Sequence, residues 1–152
     1  DRNLKILINI WNDLIETKNK KLKLMVTDNN INILSNSIFK RKLIDQRNLI
    51  NDLSKSRICL IPGHKAELFC LAAEEAKELC IPIITLGIGS LSERVDHGKN
   101  GFVAKNNKEF ADYTIELFSN NEIWSSMRNY LISQRGKNTW HKVAKELISQ
   151  IN

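Results

Sequence analysis

Residues 57–86 read RICLIPGHKAELFCLAAEEAKELCIPIITL, and this stretch decides the fold. Its opening RICLI is a compact apolar run stopped by Pro62 and Gly63, the pattern of a buried strand. Leu68, Leu71, Ala72, Ala76 and Leu79 then recur at helical spacing, which predicts a helix over 68–79 with Glu67 at its opening. Residues 82–86 (PIITL) predict a second buried strand. Parallel strands need a crossover connection, so strand, helix and strand in this order point to a parallel sheet.

The same alternation extends outward. Leu4, Leu7, Ile8, Trp11, Leu14 and Ile15 predict an amphipathic helix. Residues 21–27 (KLKLMVT) predict a strand that leaves into a turn at Asp28, Asn29 and Asn30, and a short second strand is expected within 32–39. Residues 46–54 return to helical spacing through Leu49, Ile50 and Leu53. After residue 86 come a Gly-rich turn at 87–90, one helical turn at 91–95 and a turn running into a short strand at 98–103. Helices are expected at 107–119, 122–133 and 139–151. Buried strands alternating with helices imply a Rossmann-like three-layer α/β sandwich with a mostly parallel sheet, a single domain over 1–152 with 137–152 as a C-terminal helix. In such sheets ligands bind beyond the carboxyl ends of the strands, so function is expected in the loops after Thr27, Ile61 and Leu86.

The chain has 152 residues, 42% hydrophobic and 26% charged, with Gly 6 and Pro 2, enough to bury one core without staples. A net charge of +6 is compatible with nucleic acid, an anionic membrane or an anionic small ligand. The basic residues are scattered, and no aromatic interleaving or nucleic-acid motif accompanies them, so a solvated face is expected and no nucleic acid partner. Cys59, Cys70 and Cys80 lack the spacing of zinc or redox motifs and read as buried, reduced thiols. No stretch reaches the ~20 apolar residues of a spanning helix and the N-terminus is polar, so a cytoplasmic location is expected. Asp1 is not an initiator Met and leads straight into a helical pattern, which reads as a domain taken from a longer chain.

Residues 61–84 carry the chemistry. A helix N-terminus offers unsatisfied N–H groups and a partial positive charge, a ready site for phosphate or diphosphate, here through the backbone near Phe69, Cys70 and Leu71. If both were helical, Glu67 and Glu75 would stand ~12 Å apart, the scale of a nucleoside-diphosphate sugar. Each carboxylate can accept from a vicinal diol, one on the sugar and one on the ribose. The plainer reading is that Glu67 complements the helix dipole and that Glu74, Glu75 and Glu78 form a solvated face.

Pro62, four residues, Glu67, seven residues, Glu75-Ala76 and then Pro82-Ile83-Ile84 resemble the signature of the retaining, family 4 type (group 1) glycosyltransferases of GT-B architecture. Gly87 to Val95, His97-Gly98 and Asn100 to Val103 resemble the family's next block, so the match runs in register over roughly residues 57–120. The resemblance implies the C-terminal, donor-binding domain of a bacterial enzyme whose N-terminal acceptor domain lies outside this chain. It implies transfer of a hexosyl group, with retention, from a nucleotide-diphosphate sugar to a carbohydrate or lipid-linked acceptor. Polysaccharide biosynthesis is the expected setting. It assigns Glu67 to the donor sugar, as the candidate catalytic residue, and Glu75 to the ribose, with Phe69, Cys70 and Leu71 at the diphosphate and Leu68 also among the donor-binding residues. The loop at 39–43 falls where the family holds the base. Family members are metal-independent and use basic side chains at the diphosphate; Arg2 matches one of them, and the other would precede Asp1. No cofactor is implied, and peripheral association of the full-length enzyme with the cytoplasmic face of the inner membrane is an option.

Leu68 and Cys70 depart from the family, which usually has glycine at both places, where the donor approaches closely. They point either to an altered donor preference or to a glycosyltransferase-like module that binds a nucleotide or a partner without catalysis. The isolated domain is expected to show little or no turnover. Among the other candidates, His64, Lys65, His97 and His141 read as loop or surface residues, and Trp11, Trp124 and Trp140 as packing residues. Gly89 to Leu91 is expected to line the sugar pocket, and Glu93 to hold its loop.

Overall fold

The computed structural model describes residues 2–27, 35–41, 45–137 and 140–151, with only the backbone for Arg2, Gln46, Trp140, Val143 and Ile151. The chain opens with α1 (Arg2–Ile10), which continues as a π-helical segment, Trp11–Ile15. Strands β1 (Leu24–Thr27) and β2 (Ile38–Arg41) follow, then α2 (Gln46–Leu53), β3 (Cys59–Gly63) and α3 (Leu71–Glu78). After these come β4 (Ile83–Ile88), α4 (Leu91–Arg94), β5 (Gly101–Val103), α5 (Asn107–Ser119), α6 (Asn121–Gln134) and α7 (Trp140–Ile151).

Every strand pairing among the described residues is parallel. The strands form two ladders, β1–β2 and β3–β4–β5, so the expected parallel α/β architecture is present but divided between β1 and β3. The division is marked by a cavity of about 620 Å³, walled by Leu24, Met25, Leu53, Cys59, Leu60 and Glu75 among others.

Period-two alternation assigns the β3–β4–β5 ladder to two cores. Leu60, Ile84 and Phe102 face one, with α1, the π-helical turn and α5, while Ile61, Ile83 and Val103 face the other, with Cys70, Ala73, Ala76, Leu91 and Val95. Helices thus cover both faces of a buried parallel sheet. The first core is the larger: Trp11, Ile15, Phe110 and Leu117 are buried there, and the Trp11 indole donates to Ser37 Oγ at 2.8 Å.

Local chemistry sets several boundaries. Asn106 caps α5 by accepting from Glu109 N–H at 3.0 Å, while Glu109 accepts from Lys105 N–H at 2.8 Å. Asn120 caps α6 through Glu122 and Ile123. Other boundaries differ from the sequence reading. Strand β1 begins at Leu24 rather than residue 21, and β2 lies at Ile38–Arg41, at the far end of the expected 32–39. Strand β3 includes Pro62 and Gly63, and β4 runs through Gly87 to Ile88 because Gly63 pairs with Ile88 beyond a register shift. Among the described residues no helix is long and apolar enough to cross a membrane.

Candidate functional site

The carboxyl ends of β3 and β4 project two loops, residues 64–70 and 89–90, that lie side by side. The first is folded on itself: Glu67 N–H donates to the His64 carbonyl at 3.0 Å and Ala66 N–H to His64 Nδ1 at 3.1 Å. It ends at Cys70, the N-cap of α3, whose backbone is extended and whose side chain makes no capping bond. Glu67 therefore stands in the loop, four residues before the first helical residue, and the expectation that it opens the helix is overturned. Helical spacing included Leu68, yet Leu68 is 92% exposed, so it contributes nothing to a buried stripe.

The helix start also moves the backbone donors. Ala73 and Glu74 N–H both turn back to the Cys70 carbonyl, at 3.1 and 3.3 Å. The Leu71 and Ala72 N–H groups are left without a backbone acceptor among the described residues. Phe69 and Cys70, expected to supply donors, precede the helix. Phe69 is half-exposed and Leu71 is 68% exposed, whereas Cys70 is 1% exposed.

The two glutamates differ. Glu67 is partly buried, and its Oε2 is shut off from solvent with no hydrogen-bond partner. Burial, with the Glu67 carboxylate beside it, pushes the Cys70 thiol up to about 11. Glu75 is exposed on α3 and faces the 620 Å³ cavity, which Glu67, Phe69 and Ser90 do not line. Burial and the nearby Cys70 and Glu75 push the Cys59 thiol up to about 12. Glu74, between them in sequence, is neutralised by Lys77 at 2.8 Å and Arg94 at 3.2 Å. Glu67 and Glu75 make no ion pair among the described residues.

The second loop closes over the first. Gly89 has φ +67° and packs so tightly that a Cβ would collide with the His64 carbonyl oxygen. Ser90 N–H donates to the Glu67 carbonyl at 3.1 Å, and the Ser90 hydroxyl, like Glu67 Oε2, is buried and unpartnered. Glu93, expected to hold this loop, is exposed and makes no side-chain bond among the described residues. Its neighbour Arg94 does the holding, stacking on Phe69 at 4.0 Å. Sequence reading passed over Arg94 because the only signal was an arginine beside the glutamate, with no hint of the ring it meets.

Arg2 is the first residue of α1, and its side chain lies outside the described residues; of the expected base-binding segment, Phe39 to Arg41 belong to β2 and Lys42 and Leu43 lie outside them. Trp11 packs in the core as expected. Trp124 meets the guanidinium groups of Arg57 and Arg128, 4.5 and 5.5 Å from its ring centroid, and Trp140 has no described side chain. All three cysteines are free. Among the described residues no three His, Cys, Asp or Glu side chains are grouped to hold a metal ion.

Residues 2–135 match the family model of glycosyl transferases group 1. No curated protein matches the chain. Among solved structures, the chain is similar to one in the crystal structure of accessory secretory proteins 1, 2 and 3 of Streptococcus pneumoniae. The TM-score is 0.67 at 18% identity over 97% of this chain. It is also similar to a chain of the Glycosylation Associate Protein (Gap123) complex of Streptococcus agalactiae, with TM-score 0.54 at 19% identity over 64% of this chain. It spans 31% and 19% of those two chains, and at these identities the likeness is one of fold. With a parallel α/β fold and a family model matched along nearly its whole length, the chain belongs to the group 1 glycosyl transferases.

Proposed function

We propose that this domain binds the nucleotide-diphosphate sugar of a retaining glycosyltransferase, with the diphosphate over the start of α3, the sugar at Glu67 and the ribose at Glu75. The observation that carries this is the Glu67 carboxylate, whose buried Oε2 meets no nitrogen or oxygen donor where two loops meet beyond the sheet and has only the Cys70 thiol beside it. A carboxylate oxygen with only a weak thiol donor beside it gains when a ligand hydroxyl donates to it. The Leu71 and Ala72 amides, which find no backbone acceptor among the described residues, and the dipole of α3 supply the complementary positive end. No metal is required, because amides and helix dipole stabilise the departing diphosphate. The hexosyl acceptor, carbohydrate or lipid-linked, would be held by a second domain, so the isolated domain turns over little or nothing.

Calorimetric titration with UDP, GDP and ADP and their sugar conjugates tests this. One base is selected, the sugar conjugate binds, and Glu75→Ala abolishes the binding. Failure of every one of these ligands to bind sinks the proposal. The second reading is a family member that binds a nucleotide or a partner protein without transferring sugar. It is favoured by Leu68 and Leu71, whose exposed side chains stand beside the proposed diphosphate position, and the neighbouring folds come from multiprotein complexes. Nucleotide-sugar binding without slow hydrolysis, even with the rest of the enzyme restored, would favour it.

A further inference from the structure

The loop at 64–70 has little apolar burial of its own. Leu68 faces solvent, Phe69 is half-exposed, and Cys70 alone enters the core. It is held from outside, by α4 and the turn before it. One attachment is backbone: Ser90 N–H to the Glu67 carbonyl at 3.1 Å, with Gly89 pressed against His64. The other is one side chain. Arg94 lays its guanidinium over the Phe69 ring, 4.0 Å from the centroid, and donates from Nη1 to Glu74 Oε1 at 3.2 Å. Its Nε is shut off from water without a partner, while the side chain as a whole stays 26% exposed, so the stack is made by a partly desolvated cation. Phe69 immediately precedes the N-cap and Glu74 lies in the first turn of α3, so one guanidinium ties both sides of the helix start to α4.

We infer that Arg94 is a positioning residue for the donor site: it sets where the Glu67 carboxylate and the Leu71 and Ala72 amides stand, without itself touching the ligand. A planar guanidinium can stack and donate sideways at once, which a lysine ammonium cannot. The effect on ligand rests on the donor-binding reading, whereas the clamp is a property of the free chain.

Amide hydrogen exchange of the free chain, followed by titration with nucleotide sugars, separates the two. In Arg94→Met, which keeps the aliphatic stem, exchange at Glu67, Ala73 and Ser90 rises about tenfold while β4 and α5 keep their protection. Binding of the nucleotide sugar that the wild-type chain selects weakens several-fold, and Arg94→Lys, keeping the ion pair without the stack, falls between. Unchanged exchange at those three amides, or an equal rise across β4 and α5, overturns the clamp. Local loosening with undiminished affinity overturns the positioning role. Should the wild-type chain bind no nucleotide sugar, the donor reading and the positioning role fall together, and exchange alone decides the clamp.

Discussion

Replacing Gly89 by alanine isolates the close approach of the two loops. Gly89 holds φ +67°, a left-handed conformation that costs an L-residue about 1–2 kcal/mol. The new Cβ would also collide with the His64 carbonyl oxygen and crowd the Glu67 carbonyl oxygen, backbone atoms that cannot rotate away. The loops must separate, and the hydrogen bond from Ser90 to Glu67 is lost with its net contribution of about 0.5–1.5 kcal/mol. Together these predict destabilisation of about 2–3 kcal/mol, read as a fall of about 1 M or more in the urea midpoint. Gly98 and Gly136 supply internal controls: both have positive φ, at +80° and +71°, but nothing lies within 4 Å of an added Cβ. Alanine at either bears the backbone term alone. If Gly89→Ala costs no more than Gly98→Ala and Gly136→Ala, the tight contact between the loops is refuted.

Phe110→Ala, emptying a fully buried site on α5, is expected to cost about 3–5 kcal/mol in denaturant unfolding. Cys59 and Cys70, with thiols near 12 and 11, are no more than about one part in a thousand ionised at pH 8, so iodoacetamide should leave both unmodified until the chain unfolds. Asp45, the N-cap of α2, is held below the usual carboxylate range by the Asn48 backbone N–H and then by the Asn48 side chain. Its charged form is favoured by folding, so its contribution is complete above the unfolded pKa and disappears as pH falls through the lowered one. Asp45→Asn, which can still cap, should flatten the decline in stability between about pH 5 and pH 2.

What was readable in the sequence follows physical range. Helix α5 was expected over its observed span because Asn106 and Asn120 are caps, a chemistry confined to a few residues. The strands at 57–61 and 82–86 were recognisable because strands buried on both faces leave continuous apolar runs. The start of α3 was not, since Leu68 fits helical spacing while its burial depends on whether anything packs against it. The continuation of β4 through Gly87 depends on the pairing of Ile88 with Gly63, a contact across 25 residues. Glu67 and Glu75 could be singled out from their spacing, but the unpaired Oε2 and the Arg94 stack arise only when β3 and β4 place their loops together. The division between β1 and β3 has no local signature at all.

The most direct test is amide chemical-shift mapping of the chain with the nucleotide sugar it binds best. The largest changes are expected at Leu71 and Ala72, with Glu67 and Ser90 next, and they should vanish in Glu67→Gln combined with Glu75→Ala. Changes confined to other surfaces, or the same changes in the doubly substituted chain, would contradict a donor site at the start of α3.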